Sequence, residues 1–173
     1  MAGSLTAAYV RPQRIILITG CSSGIGAAAA HTLRGRDWRV FATARRAEDV
    51  DRLRAEGFES FRLDYQDEAS LIEGAAELFE RTSGRLDALF NNGAYAIPGA
   101  LEDIPSEALR GLFEANFLGW HTLTRAVLPH MRRQGHGRAL DPLLDLRDQP
   151  LFPVQPLKLP DAQRDQDGAA QHA

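Results

Sequence analysis

The stretch TGCSSGIG, Thr19 to Gly26, places glycines at 20, 24 and 26 between an apolar run and an alanine-rich segment. The chemistry this spacing serves is the binding of a pyrophosphate. Gly20 permits a tight turn, Gly24 lets backbone approach an anion, and Gly26 allows the following helix to pack closely on the preceding strand. The first N–H groups of that helix and its positive dipole end would face the anion. Ser22 and Ser23 offer hydroxyl donors, and Ile25 completes the loop between the last two glycines. No Lys followed by Ser or Thr comes after the last glycine, which excludes a nucleoside-triphosphate loop. The plain alternative is a glycine turn joining a strand to a helix. The flanking strand and helix favour the nucleotide site.

A site of the NAD type places an acid at the end of its second strand to take the ribose hydroxyls. Here that strand ends FATARR, with Arg45 and Arg46 where the acid is expected. A guanidinium fork suits a 2′-phosphate. The expectation is therefore NADP(H) over NAD(H), with two solvated arginines ahead of a helix as the competing reading.

The elements that must hold these residues follow from periodicity. RIILIT, ending before Gly20, is continuously apolar and β-branched, as in a strand buried on both faces. GIGAAAAHTLRGR predicts a helix, RVFATA a second strand, and AEDVDRLRAEG a helix closed by Gly57. SFRLD predicts a third strand ending at Asp64. DEASLIEGAAELFERTSG has acids in its first turn and Arg81 near its end, as a helix dipole prefers. LDALFNN predicts a fourth strand. Ser106 to Gln134 predicts one long helix, with Ser106 as N-cap and a kink at Pro129. Its apolar positions Leu109, Leu112, Phe113, Phe117, Leu123 and Val127 recur at helical spacing. Alternating strands and helices mean a parallel sheet with right-handed crossovers. The expected fold is α/β, a doubly wound parallel sheet of Rossmann type, incomplete, with four clear strands. After Arg138 the pattern stops, and Ala139 to Ala173 is rich in Pro, Asp and Gln with scattered apolar residues. Two regions result: a dinucleotide-binding domain over residues 1–138 and an irregular tail over 139–173.

Composition narrows the function classes. The 173 residues are 44% hydrophobic, with a net charge of −3. That balance gives no basic face for nucleic acid or an anionic membrane. No stretch approaches a membrane span, and MAGSLTAAYVRPQR lacks the apolar region of a signal peptide. The single cysteine, Cys21, excludes an internal disulfide and suits a reducing compartment. No Cys/His cluster has metal-ligand spacing. A cytoplasmic protein is expected, and His121, His130 and His136 read as surface or helix-end residues.

TGCSSGIG, RLDYQD, FNNGAY and NFLGWHTLTRAVLPHMRRQGHGR, in that order, resemble the short-chain dehydrogenase/reductase family over roughly Arg14 to Arg138. The resemblance implies hydride transfer between a nicotinamide dinucleotide and a small-molecule alcohol or carbonyl, and a homo-oligomer. It implies that Asp64 contacts the adenine ring, that Asn91 stabilises the strand end beside the cofactor, and that Gly93 lies near the ribose. Gly93-Ala94 reverses the family's usual Ala-Gly order. By the same resemblance Asn116 is the catalytic-site asparagine that holds a proton-relay water.

The family's reaction also needs a Tyr acid/base, a Lys four residues later that lowers its pKa, and an upstream Ser on the carbonyl. The single lysine, Lys158, is preceded four residues earlier by Val154, and no serine follows Ser106. Tyr9, Tyr65 and Tyr95 all lack a lysine at that spacing, so the Ser–Tyr–Lys set is absent. With the sheet ending at LDALFNN, a central strand would become an edge. A reading-frame change near Arg138 is one account: codons exist for Leu143 to Asp148 that, shifted by one base, read Ser-Ser-Ile-Ser-Gly. A truncated relative with an unrelated tail is the other. Three functions stay open: an NADP(H)-dependent oxidoreductase by descent that is inactive alone, a non-catalytic NADP(H)-binding or interaction protein, and a non-functional truncated product.

Overall fold

The computed structural model describes residues 12–141. The elements follow in the order β1 (Arg14–Ile18), α1 (Gly24–Arg34), β2 (Trp38–Ala42), α2 (Ala47–Ala55) and α3 (Glu68–Thr82). After them come β3 (Ala88–Phe90), a 3-10 turn (Leu101–Asp103), α4 (Ser106–Phe113), a π-helical turn (Glu114–Leu118), α5 (Gly119–Gln134) and β4 (Arg138–Leu140). The strands form one parallel sheet in the order β2-β1-β3-β4. The chain thus has the expected α/β Rossmann-type architecture.

The continuous apolarity of β1 has a direct structural cause. Ile15 and Leu17 point into one core and Ile16 and Ile18 into the other. Successive side chains of a strand leave on opposite faces, so a strand covered on both sides has no polar alternation. The first core is closed by α3 and α5 through Leu71, Leu78, Leu123 and Val127. The second is closed by α1 and α2 through Ala30, Val50 and Leu53.

Four details correct the sequence expectations. The segment SFRLD does not form a continuous strand. It meets the outer edge of β2 only at two isolated parallel bridges, Phe41 with Glu59 and Ala44 with Arg62. Two backbone hydrogen bonds, Ala42 N to Glu59 O and Leu63 N to Ala44 O, hold it there without a ladder between them. The sheet also does not end at β3. β4 covers that edge, with Asn91 N donating to Leu140 O and Arg138 N to Asp87 O. Arg138 to Leu140 is too short, and too exposed at both ends, to declare itself by apolarity, and it carries the sheet past the boundary drawn at Arg138. Ser106 begins α4 rather than capping it; Pro105 is the N-cap, and no side chain caps that end. The single long helix is divided by the π-helical turn at Glu114–Leu118, while α5 continues through Pro129 to Gln134. Residues 142–173, with the codon argument at Leu143 to Asp148 and the tail's expected irregularity, lie outside the described residues.

Candidate functional site

The loop from Thr19 to Gly26 leaves β1 and turns into α1. Gly20 has φ +66°, and a Cβ there would stand 2.6 Å from Gly93 Cα. Gly24 has φ +61° with nothing within 4 Å of the Cβ position, so its backbone is open to a ligand. Gly26 packs beneath, where a Cβ would lie 2.5 Å from both Gly20 O and Asn92 Nδ2. Ser23 caps α1 in an extended conformation without a side-chain cap bond, and the first turn contains no acid. The positive end of α1 is therefore not neutralised by an acid of its own first turn.

A cavity of about 180 Å³ opens beside this loop. Of the residues expected from sequence, Gly20, Ser22, Arg45, Asp64 and Gly93 line it, together with Tyr65, Gln66 and Tyr95. The others do not line it. Ser23 is the N-cap of α1, and Gly24, Ile25 and Gly26 form its first turn, with Ile25 73% exposed. Arg46 is turned toward Glu48 at 3.9 Å, so the two arginines do not form one fork. Asp64 is held in place: Oδ1 accepts from Gln66 N at 3.1 Å and Oδ2 pairs with Arg62 at 3.2 Å. Asn116 lies in the π-helical turn, and its carboxamide is engaged on both atoms. Oδ1 accepts from Tyr95 N at 3.1 Å and Nδ2 donates to Tyr95 O at 2.7 Å. It thereby clamps the backbone of a cavity-lining residue.

Behind the cavity is a buried polar chain that sequence reasoning missed apart from Asn91. Tyr65 Oη donates to Asn91 Oδ1 at 2.7 Å and lies 2.8 Å from Thr19 Oγ1. Asn91 Nδ2 donates to Thr124 Oγ1 at 3.0 Å. Thr19 Oγ1 accepts the N–H groups of Asn92 and Gly93 at 2.9 and 3.0 Å. Asn92 Nδ2 donates to the carbonyls of Thr19 and Gly20, and Trp120 Nε1 donates to Gly93 O at 2.8 Å. The end of β3 is thus pinned to the glycine loop. Burial raises the Tyr65 phenol far above its ordinary value, outweighing the opposing hydrogen bond with Thr19. Burial likewise pushes the Cys21 thiol up to about 12. Neither group is an acid or base near neutral pH. The signal for this chain was the tyrosine directly after Asp64 and the paired asparagines of FNNGAY.

A family model described as short chain dehydrogenase matches residues 14–141. The chain belongs to the short-chain dehydrogenase family. Among similar proteins in that family, the uncharacterized oxidoreductase YbbO of Escherichia coli (strain K12) is 37% identical over 126 residues, which are 73% of this chain and 47% of the relative. A crystal structure of a short-chain dehydrogenase from Streptomyces avermitilis is 38% identical, with a TM-score of 0.69 over 74% of this chain and 48% of that one. A metagenomic short-chain oxidoreductase solved in complex with NADP is 28% identical, with a TM-score of 0.65 over 73% of this chain and 60% of that one. The chain spans about half the length of the curated relatives it matches.

The short-chain dehydrogenase family implies a nicotinamide dinucleotide, and the site fits one. Gly24 leaves its backbone open, α1 offers an unneutralised N-terminus, and Arg45 and Asp64 line the same cavity. Among the described residues no three or more His, Cys, Asp and Glu are grouped to hold a metal ion, and no helix is long and apolar enough to cross a membrane.

Proposed function

We propose that this chain is the cofactor-binding part of a short-chain oxidoreductase that interconverts an alcohol and a carbonyl, and that it takes NADP(H) in preference to NAD(H). When bound, the nicotinamide supplies hydride chemistry. The chain's own residues bind and orient the other half of the molecule. The N–H groups at the start of α1 and the Ser22 hydroxyl would hold the pyrophosphate, and Asp64 the adenine edge. Asn91 and Gly93 would hold the β3 end against the ribose, and Asn116 would fix the loop at Tyr95. A relay water at Asn116 is part of the same proposal.

The observation that carries the cofactor preference is Arg45 lining the cavity. The acid of that lining, Asp64, is already paired with Arg62. A 2′-phosphate would meet a cation at Arg45, where an NAD-type site places a carboxylate. The solved relative holding NADP supports the same reading. Fluorescence titration with NADPH and with NADH tests it. NADPH is expected to bind more tightly, and R45A to weaken NADPH alone by roughly ten- to hundred-fold, as for a lost hydrogen bond to a charged group. R46A should do less, because Arg46 leans on Glu48. Equal affinity for both cofactors would overturn the preference.

The absence of the Ser–Tyr–Lys set supports a second statement, that the 173 residues bind cofactor without turning over substrate. NADPH consumption against a panel of aldehydes and ketones should stay at background. Saturable binding without turnover fits a non-catalytic NADP(H)-binding protein. Absence of both binding and a cooperative melt would mark a non-functional product.

A further inference from the structure

We infer that Tyr65 is a positioning residue for the dinucleotide site, that residue 93 is a glycine because the Tyr65 ring fills the space a side chain would need, and that residue 119 is a glycine because the Tyr65 backbone and Cβ do. The inference rests on the nucleotide reading above and concerns how that site is held in shape.

Tyr65 Oη is 2.7 Å from Asn91 Oδ1, a carboxamide oxygen that can only accept, so the phenolic proton is committed there. At 2.8 Å the same oxygen must then accept from Thr19 Oγ1. That fixes the Thr19 rotor and leaves its lone pairs for the N–H groups of Asn92 and Gly93. Hydrogen bonds therefore run in one direction, from Thr19 to Tyr65 to Asn91 to Thr124. Without the phenol, the Thr19 hydrogen retains only Phe90 O at 3.3 Å. Asn91 Oδ1, in a residue only 1% exposed, would lose its donor.

Space makes the second argument. An alanine Cβ at residue 93 would lie 3.0 Å from Tyr65 Cε2 and 3.4 Å from Gly20 N. At residue 119 it would lie closest to the Tyr65 backbone oxygen, and 2.8 Å from Tyr65 Cβ. Gly93 Cα in turn stands 2.6 Å from where a Gly20 side chain would begin. Ring, Gly93 and Gly20 are stacked without a gap, so the thickness of the tyrosine ring is passed to the phosphate loop. The reversed order Gly93-Ala94 follows: the small residue belongs against the ring. Tyr65 touches the cavity wall, while its buried phenol stays neutral, so its work is geometric.

The test uses the full chain with NADPH as probe, read by fluorescence titration at a temperature where circular dichroism shows each variant folded. Y65F is expected to raise the dissociation constant roughly five-fold, the equivalent of one lost hydrogen bond. G93A should weaken binding further. The pair Gly93→Ala/Tyr65→Val should recover binding to about the level of Y65F alone, since it still lacks the hydroxyl, and Gly93→Ala/Tyr65→Phe should not, because phenylalanine keeps the ring. This recovery is a readout that general destabilisation would not produce. Y65F binding like the parent, or no recovery in the valine pair, overturns the inference. Should Y65F lose its cooperative melt, the comparison of G93A with its valine pair decides. Failure of the parent chain to bind NADPH overturns the nucleotide reading and this inference together; binding by the parent with an indifferent Tyr65 overturns this one alone.

Discussion

Gly20 concentrates two demands on one residue. Its φ of +66° lies in the left-handed region, and its missing side chain makes room for Gly93. Left-handed backbone in a non-glycine residue costs about 1–3 kcal/mol, and the contact with Gly93 backbone adds to that. G20A is expected to lower the urea midpoint and abolish NADPH binding. Cys21, next along the chain, shows how little a residue's type says about its reactivity. It is 1% exposed and its thiol is pushed up to about 12. Thiolate is the reactive form, so a disulfide reagent at pH 8 should find no thiol in the folded chain and one after denaturation.

At the scale of elements, helix ends separate a cap that exists from one only suggested by composition. Asp67 caps α3, its side chain accepting from Ser70 N at 3.1 Å. D67A should cost about 1 kcal/mol in urea denaturation. Ser106, which composition suggests as a cap, is the first residue of α4 and makes no cap bond; S106A should change stability by less than about 0.5 kcal/mol. The two serine/acid signals look alike in sequence. Only the backbone conformation of the preceding residue decides which one faces the orphan N–H groups. The same limit applies to β4, whose three residues are fixed by the hydrogen bonds β3 offers and by no pattern of their own.

For the whole molecule, the packing of α3 on α5 has an acid limit. His130 stacks on Phe79 with ring centroids 3.4 Å apart and planes 6° apart. Burial, and then the neighbouring Arg133, lower the His130 pKa from its ordinary 6.5. The folded state thus prefers the neutral ring. Its contribution is complete above pH 6.5 and is lost as pH falls through the lowered value. H130Q should therefore narrow the difference in melting temperature between pH 8 and pH 5. An alkaline limit comes from Cys21: its raised value makes that contribution complete below 9.0 and lost as pH climbs toward about 12.

Residue patterning along the chain specified the α/β class, because strands covered on both faces must be continuously apolar and helices between them must carry a 3.6-residue stripe. It set the glycine turn between β1 and α1 too, since glycine spacing between a strand and a helix is a local matter. It showed Arg45 in place of an acid, and the missing Ser–Tyr–Lys set, by inspection of residue types. The remaining features depend on residues distant in the chain. Arg45 lines the cavity while Arg46 turns to Glu48, although the two are adjacent and identical. Asn116 clamps the backbone of Tyr95. Tyr65 joins Thr19 to Asn91 across separations of 46 and 26 residues. Hydrogen bonds and steric fits over such distances exist only once the sheet has brought the ends of β1 and β3 side by side. No periodicity or spacing along the chain encodes them.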